Sequence, residues 1–348
     1  MKKNRAGAGA SALVVFLVAG ICLVAVPAVA PVPAHAAVVY NPDVATMIDN
    51  VTRRQLEPVV DELSGEAPAT IGGSSYTFTT RASSSGTPID RAEQYVYEHL
   101  RTYGLDSVVY QDFPGGGGAP PGRNIIGQVN GTTRAGEIII VGAHIDNRPW
   151  SGRAPGADDD ASGVSALLHL ARSFADKTFE RTIRFAFFGD EENAPWNRTW
   201  GSLYGSGYYA ARCRAAGENI VAMIEADMLA YDPPGSSSHI VEMNTRRPAN
   251  DRGGGDLAIF TMWRDAITIY SITGITPKLV AIGDNWSDHG SFWRNGYTAG
   301  MLIEEELVNW NRNWHTKTDK VSTFSWPFYA AVTKSLVAVA AHEAGILN

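Results

Sequence analysis

Residues 141–163 read VGAHIDNRPWSGRAPGADDDASG, and the organisation of the chain can be worked out from them. The aliphatic run EIIIV at 137–141 leads into this stretch, and apolar residues at helical spacing follow it over 164–174. The pattern predicts a buried strand, then a polar loop, then a helix. Open α/β sheets place their functional sites in such loops, at the carboxyl ends of the strands.

The polar residues of this loop have the composition of a metal site. His144 and Asp146 follow the predicted strand directly, and Asp158, Asp159 and Asp160 come immediately before the predicted helix. Three adjacent carboxylates repel one another unless a cation neutralises them, and histidine and carboxylate are both ligands of such cations. The remaining ligands are expected at the ends of neighbouring strands.

Predicted strands alternate with predicted helices along most of the chain. The strands are expected at 107–113, 124–129, 137–141, 182–188, 220–224, 278–282 and 298–303, with a short one in YTFTT at 76–80. The helices are expected at 41–65 with a break before Pro58, at 90–103 with Asp90 as its cap, and at 162–174, 256–273 and 325–344, with a further one ending at 216. This alternation predicts an α/β fold, a three-layer α/β/α sandwich around a mixed, mostly parallel central sheet.

The composition is that of an ordinary globular protein. Of 348 residues, 45% are hydrophobic and 19% are charged, and the formal net charge is -7 with a pI of about 5.6. No basic stripe is visible, which argues against a nucleic-acid partner. The glycine run at 115–118 lacks the Lys-Ser/Thr ending of a phosphate-binding loop and is interpreted as a surface loop.

The N-terminal 36 residues have the pattern of a signal peptide. Lys2, Lys3 and Arg5 precede an apolar run over 12–26, and an Ala-x-Ala cleavage site follows at 34–36. An uncleaved membrane anchor is the alternative, because the run approaches the length of a membrane span. The favoured interpretation predicts a secreted or periplasmic protein with no membrane contact after cleavage, and residues 37–348 as a single domain. Cleavage would also remove Cys22, which leaves Cys213 without a partner for an intrachain disulfide.

Acidic and histidine residues recur at the ends of the predicted strands. They are His144, Asp159, the pair Glu191–Glu192, Asp227 and His315. Nitrogen and carboxylate ligands suit zinc, with manganese or cobalt as alternatives. This set is too large for one catalytic zinc and fits two divalent metals, about 3.5–4 Å apart, that share a carboxylate and a bridging water. One glutamate of the pair would bind metal, and the other would take a proton from that water as the general base.

The order of these motifs resembles the M28 family of zinc aminopeptidases over nearly the whole mature chain. The motifs are H-x-D, GADDDASG, D-E-E, A-D-M, S-D-H and W-H-T-x-x-D. The resemblance implies a zinc-exopeptidase fold and two zinc ions per chain. It also implies a set of roles: His144 and Asp227 hold one zinc, Glu192 and His315 hold the other, Asp159 bridges them, Glu191 is the base, Asp146 orients His144, and Asp160 follows Asp159 through a cis peptide.

Some positions near these motifs need a separate interpretation. His289 competes for the last ligand position, but the family motif matches His315, so Asp288 and His289 are expected to support the site without binding metal. Trp314 stands where the family often has a tyrosine that helps to hold the oxyanion, and its indole N–H could take that role. Loop and rim positions are expected for Asp158, Asp190 and Glu225.

The resulting hypothesis is a secreted, monomeric di-zinc aminopeptidase that acts on peptides with a free N-terminus. Tryptophans near the site could form an apolar pocket for the N-terminal side chain, or they could simply pack a lid. They are Trp196, Trp200, Trp286, Trp310 and Trp314. The alternatives within the same fold are a single-zinc glutaminyl-peptide cyclase and a carboxypeptidase. A metal-free binding module and a structural zinc site are alternatives of other classes.

Overall fold

An eight-stranded sheet forms the centre of the computed structural model, which describes residues 37–114, 121–149, 154–192, 205–251 and 253–347. The strands are β1 (Ala69–Ile71), β2 (Ser74–Tyr76), β3 (Ser107–Phe113), β4 (Gly122–Val129), β5 (Arg134–His144), β6 (Arg181–Phe188), β7 (Asn219–Ala226), β8 (Ile240–Asn244), β9 (Thr276–Val280) and β10 (Ala299–Glu304). The helices are α1 (Pro42–Asp49), α2 (Arg53–Leu63), α3 (Thr87–Thr102), α4 (Gly163–Phe174), α5 (Gly205–Ala216), α6 (Gly255–Ile269), α7 (His289–Arg294), α8 (Glu306–Asn309) and α9 (Trp326–Ala344).

The strands of the central sheet follow the order β3-β4-β6-β5-β7-β10-β8-β9, and β1 and β2 form a separate hairpin. The four middle strands β6, β5, β7 and β10 run parallel to one another. β4 and β8 pair antiparallel with the outer members of this group. The carboxyl ends of the four parallel strands therefore meet at one edge, where the sequence places its acidic residues.

Strand β5 shows how the chain builds three layers. Because successive side chains of a strand point to opposite faces, Ile139 and Val141 pack into one apolar core and Ile138 and Ile140 into another. The first core is covered by α1, α2, α3, α4, α6 and α9, and the second by α5 and α7. The predicted α/β/α sandwich with a mixed, mostly parallel sheet is confirmed.

Most predicted elements are present with slightly shifted ends, two predictions were wrong, and some short elements were not predicted. The strand expected in YTFTT lies earlier, as β2 of a small hairpin. Asp90 does not cap α3, which begins at Thr87 after Gly86. β8 and α7 were not predicted at all, because each is short and lies in a stretch without clear periodicity.

Several predicted features lie outside the described residues. They are the signal peptide at 1–36, the glycine run at 115–118, and Trp196 and Trp200. Within the part of the chain that the structure describes, no helix has the length and apolarity needed to cross a membrane. Cys213 is buried in the second core.

Candidate metal centre

The ends of three adjacent strands bring the predicted ligands together. β5 ends at His144, β6 leads into the Glu191–Glu192 pair, and β7 leads into Asp227. The three strands are neighbours in the order β6-β5-β7, so these side chains meet at one edge of the sheet although they are far apart in sequence. His315 reaches the same place from the loop after α8.

Asp159 lies between the two histidines. Its Oδ1 atom is 3.2 Å from Nε2 of His144, and its Oδ2 atom is 3.1 Å from Nε2 of His315. Nε2 of His144 is also 3.5 Å from Oδ1 of Asp227. Nε2 of His315 is 2.8 Å from Oε2 of Glu192. The site therefore has two halves that share one carboxylate.

The carboxylates at the site fit a divalent cation in each half. Oδ2 of Asp159, Oε1 of Glu192 and Oδ1 of Asp227 are buried and accept no hydrogen bond from the described residues. Buried polar atoms are rarely left in this state, and a bound cation would satisfy all three. Ligand atoms of Asp159, Glu192 and His315 also lie within 4.8 Å of one another, as do those of His144, Asp160 and Asp227.

Asp160 belongs to that second group by distance, but its oxygens are already occupied. Oδ2 accepts the backbone N–H of His144 at 3.2 Å, and Oδ1 accepts those of Gly163 at 2.8 Å and Met228 at 3.2 Å. Asp160 thus ties the ends of β5 and β7 to the start of α4, whereas Oδ2 of Asp159 has no such donor among the described residues. The peptide bond between the two aspartates is cis, as the family resemblance implied.

Asp158 also holds backbone in place, and its predicted rim position was wrong. It is fully buried, with Oδ1 accepting the N–H of Ala230 at 2.9 Å and Oδ2 accepting from Nδ2 of Asn311 at 2.7 Å. Asp319, the last residue of the W-H-T-x-x-D motif, accepts the backbone N–H groups of Asp158 and Asp159 at 2.9 and 3.2 Å. Hydrogen bonds to both backbone and side-chain atoms therefore fix the aspartate run at 158–160.

The carboxylate of Asp146 contacts the loop that carries Glu191 and Glu192. Oδ1 accepts the backbone N–H of Glu191, and Oδ2 accepts that of Glu192, each at 3.1 Å. Nδ1 of His144 is 3.1 Å from the backbone carbonyl oxygen of Asp146 but 3.7 Å from its carboxylate. In this structure the backbone of Asp146 orients the histidine, while its side chain holds the loop.

Arg81 fixes the backbone near the site, a role that was not predicted from the sequence. It is fully buried, and its guanidinium donates to the carbonyl oxygens of Leu63, Ile145, Pro155 and Gly156 at 2.8–2.9 Å. These bonds fix the chain on both sides of residues 150–153. Nothing near Arg81 in the sequence marks it as special, because its partners are backbone atoms of distant segments.

A comparison with protein families identifies the group to which this arrangement belongs. The model described as Peptidase family M28 matches residues 124–340, more than half of the chain. The chain belongs to peptidase family M28. The matched range contains all five predicted metal ligands and the predicted base.

The proteins that the chain resembles include aminopeptidases by name. A probable aminopeptidase of Saccharomyces cerevisiae is 28% identical over 227 residues, covering 62% of this chain and 56% of that protein. Leucine aminopeptidase 1 of Arthroderma otae is 29% identical over 225 residues, with the same coverage of 62% and 56%. The chain thus spans just over half of the length of these two relatives.

Solved structures share the fold of this M28 chain. The LapA aminopeptidase of Legionella pneumophila has a TM-score of 0.69 at 20% identity, covering 90% of this chain and 78% of that one. BSAP, a zinc aminopeptidase of Bacillus subtilis, has a TM-score of 0.53 at 22% identity, covering 66% and 51%. A glutaminyl cyclase of Macrostomum lignano has a TM-score of 0.67 at 17% identity, covering 88% and 94%. At these identities the likeness shows the fold alone.

Glu225 and His289 form a buried ion pair near the end of β7, beside the M28 site. Glu225, predicted at the rim, is fully buried, and its carboxylate accepts from Oγ of Ser287, from the backbone of Asp288 and from Nδ1 of His289. Nε2 of His289 is 2.8 Å from the carbonyl oxygen of Asp284. Both ring nitrogens of His289 are therefore engaged, which agrees with the supporting role predicted for this residue. The rim prediction for Asp190 was also wrong, because that residue is buried.

Trp314 lies flat against a predicted ligand. Its ring is stacked on that of His315 at 3.7 Å with an interplanar angle of 25°, and its other neighbour Trp310 meets it edge-on at 5.6 Å. Met228, Met301 and Ile303 pack beneath it. His315 and Met228 both adopt positive φ angles, which non-glycine residues rarely do outside functional sites.

The charge balance of the site is strongly negative. Burial raises the pKa of Glu191 well above its ordinary value, and the carboxylates of Glu192, Asp288 and Asp227 raise it further against the opposing effect of His144. For Asp159, burial is outweighed by the nearby rings of His144 and His315, which hold its pKa below the ordinary range. Two divalent cations would neutralise the four negative charges of Asp159, Glu191, Glu192 and Asp227.

Proposed function

We propose that the chain is a secreted di-zinc aminopeptidase that releases apolar N-terminal residues from peptides. The observation that carries this proposal is the position of Asp159, with one carboxylate oxygen near Nε2 of His144 and the other near Nε2 of His315. A carboxylate between two histidines, each with its own further carboxylate, is the donor set of a two-metal hydrolase.

The five ligands divide into two groups. His144 and Asp227 would hold one zinc, Glu192 and His315 would hold the other, and Asp159 would be shared. When bound, zinc supplies Lewis acidity, which polarises a carbonyl group and lowers the pKa of water. The chain's own contribution is to hold these ligands rigidly, because each is buried and its backbone is fixed by neighbours such as Asp160 and Asp319.

Glu191 is proposed as the general base. It is more exposed than Glu192, so its side chain can reach substrate and water, whereas that of Glu192 is buried against His315. Glu191 would accept a proton from the attacking water and pass it to the amine that leaves.

The surroundings of the site suit a cationic, apolar N-terminus. The excess of carboxylates would attract a free α-amino group. Trp310 and Trp314, with Met228 and Ile303 beside them, offer apolar surface for the side chain of the terminal residue. This proposal favours an aminopeptidase over a carboxypeptidase, whose substrate brings a negative charge.

The experiment that tests this function combines metal analysis with a substrate panel. The purified mature chain should contain about two zinc ions. It should hydrolyse leucyl- and phenylalanyl-p-nitroanilide faster than lysyl- or glutamyl-p-nitroanilide. A chelator should abolish the hydrolysis of every substrate in the panel. Two bound zinc ions without release of nitroaniline from any aminoacyl substrate would contradict the proposal.

Glutaminyl cyclisation is the second candidate, because a glutaminyl cyclase shares the fold over 94% of its own length. The WHT motif and the SLYGS stretch at 202–206 resemble cyclases as well. A glutaminyl peptide incubated with the enzyme separates the two functions. Loss of ammonia with one zinc per chain would indicate the cyclase, and release of free glutamine would indicate the aminopeptidase.

A further inference from the structure

We infer that Ser83 is a positioning residue for the loop that carries Glu191 and Glu192. The inference rests on the proposed function for the roles of the two glutamates. Ser83 lies outside the range matched by the family, which begins at residue 124. Its contribution comes from a segment that the site motifs do not include.

A short series of hydrogen bonds connects Ser83 to the two glutamates. Oγ of Ser83 donates to Oδ2 of Asp146 at 2.6 Å. The same Oδ2 atom accepts the backbone N–H of Glu192, and Oδ1 accepts that of Glu191, each at 3.1 Å. The described residues thus give this carboxylate two backbone donors and one side-chain donor, and the side-chain donor is Ser83.

The burial of Asp146 makes the hydroxyl important. The Asp146 side chain is fully buried, and a carboxyl group in such a place depends on its hydrogen-bond donors. Without the hydroxyl, the one donor left to Oδ2 among the described residues would be the N–H of Glu192, and the carboxylate could rotate away from the geometry that serves both glutamates. Glu191 and Glu192 would then both lose the hydrogen bond that their backbone N–H groups donate to Asp146.

Ser83 is itself held in a fixed place. It begins a single helical turn, Ser83–Ser85, just after Arg81. The backbone N–H of Arg81 donates to Oδ1 of Asn147 at 3.0 Å, and its side chain donates to the carbonyl of Ile145 at 2.9 Å. At the other end of the turn, Oγ of Ser85 accepts the N–H of Ile89 and joins the turn to α3. These hydrogen bonds fix the loop that places the Ser83 hydroxyl next to Asp146.

The cavity beside Ser83 limits the size of the expected effect. Ser83 lines a cavity of about 340 Å³ together with Glu93, Arg123 and Asp190. If the hydroxyl is removed, water from this cavity can reach Oδ2 of Asp146 and replace the lost hydrogen bond in part. The variant should therefore be impaired without being inactive.

Steady-state kinetics of four variants test the inference. For Ser83→Ala, kcat should fall about tenfold while KM stays within about twofold, because the base and ligand are misplaced but the substrate surface is untouched. Ser83→Cys, similar in size but a poor donor, should behave in the same way. Ser83→Thr keeps the hydroxyl and should recover most of kcat. Ser84→Ala, an exposed neighbour in the same turn, is the matched control and should equal the wild type.

Hydrogen exchange of the zinc-free chain provides a readout that does not depend on activity. The amides of Glu191 and Glu192 should exchange about fivefold faster in Ser83→Ala, the ratio expected for one ordinary hydrogen bond, and should be unchanged in Ser84→Ala. Wild-type exchange or wild-type kcat in Ser83→Ala and Ser83→Cys would overturn the inference. If the wild type lacks aminopeptidase activity, the proposed function fails, whereas the exchange measurement still decides whether Ser83 holds the loop.

Discussion

Oδ1 of Asp146 accepts the backbone N–H of Glu191 at 3.1 Å. The position of Glu191 is therefore set by its backbone and does not depend on the charge of its own side chain. Glu191→Gln should leave the loop and both halves of the proposed metal site intact while it removes the proposed proton acceptor. We predict that kcat falls by about 10²–10⁴-fold, the usual contribution of a general base, with two zinc ions retained.

Glu192→Gln is the matched comparison for that measurement. The two residues are adjacent, and Oε2 of Glu192 lies 2.8 Å from Nε2 of His315. This variant should lose zinc as well as activity, so metal analysis separates the two roles. Retained zinc in Glu192→Gln together with lost zinc in Glu191→Gln would show that the assignments are reversed.

Removal of metal should lower stability as well as activity. The carboxylates of Asp159, Glu192 and Asp227 repel one another in a buried place when no cation lies between them. A ligand at 100 times its dissociation constant stabilises the folded state by about 2.7 kcal/mol, so chelation should lower the Tm by several degrees. Differential scanning calorimetry with chelator, and again after zinc is restored, measures this. An unchanged Tm in a sample shown to be metal-free would contradict the site.

Arg81 should matter for stability more than any charged surface residue. Arg81→Met would leave the carbonyl groups of Leu63, Ile145, Pro155 and Gly156 without their buried donor. We predict a loss of about 3–5 kcal/mol in the free energy of unfolding, and a smaller loss for Arg81→Lys, which keeps the charge but not the planar fork. Urea denaturation gives both values. The exposed Arg101 on α3 provides the control, since Arg101→Met should change stability by less than about 0.5 kcal/mol.

The elements that carry the site could be predicted because each has a strong local signal. The aliphatic run of β5 and the buried run of β6 end directly at polar residues, and the carboxyl ends of parallel strands share one edge. His144, the Glu191–Glu192 pair and Asp227 follow from that rule alone. The choice of His315 over His289 needed the family motif, because residue type and spacing do not separate them.

The supporting residues could not be predicted because their partners are backbone atoms far away in sequence. Arg81 contacts carbonyl groups up to 75 positions later, and Asp319 contacts N–H groups 161 and 160 positions earlier. Periodicity carries no information about such pairs. Asp158 and Glu225 were assigned to the rim for a related reason: a carboxylate in a loop is usually exposed, and only its buried donors reveal that it is not.

Glu93 on α3 predicts a pH dependence of stability. Burial raises the pKa of Glu93 to about 8 from an ordinary 4.5, although Arg123 opposes the shift. Below pH 4.5 the carboxyl group is protonated in both the folded and unfolded states, so its titration does not change the free energy of unfolding there. As the pH rises from there to about 8, only the unfolded state releases the proton, and stability falls. Glu93→Gln should therefore gain about 2–4 kcal/mol relative to wild type at about pH 9, and nothing at low pH.

Urea denaturation of wild type and Glu93→Gln at the two pH values tests that sign. Metal affinity also varies with pH, so the zinc-free chains are compared at each pH, and only the difference between variants is used. The exposed Ser84 provides the control, because Ser84→Ala changes no titratable group and should shift stability equally at both pH values. A larger gain at low pH than at high pH would show that Glu93 is ionised in the folded state.

Trp314 stacks on the ring of His315 at 3.7 Å, and this contact predicts what the indole does. If Trp314 acts by holding that ring and covering Met228, Met301 and Ile303, any flat apolar ring serves. Trp314→Phe should then keep kcat within about threefold, while Trp314→Ala should lose at least about tenfold and bind zinc less tightly. If the indole N–H instead stabilises the oxyanion, Trp314→Phe should lose about 10²–10³-fold in kcat with zinc binding unchanged. We expect the first result, because the face of the Trp314 ring is stacked on His315. The kcat values of Trp314→Phe and Trp314→Ala on one leucyl substrate distinguish the two roles.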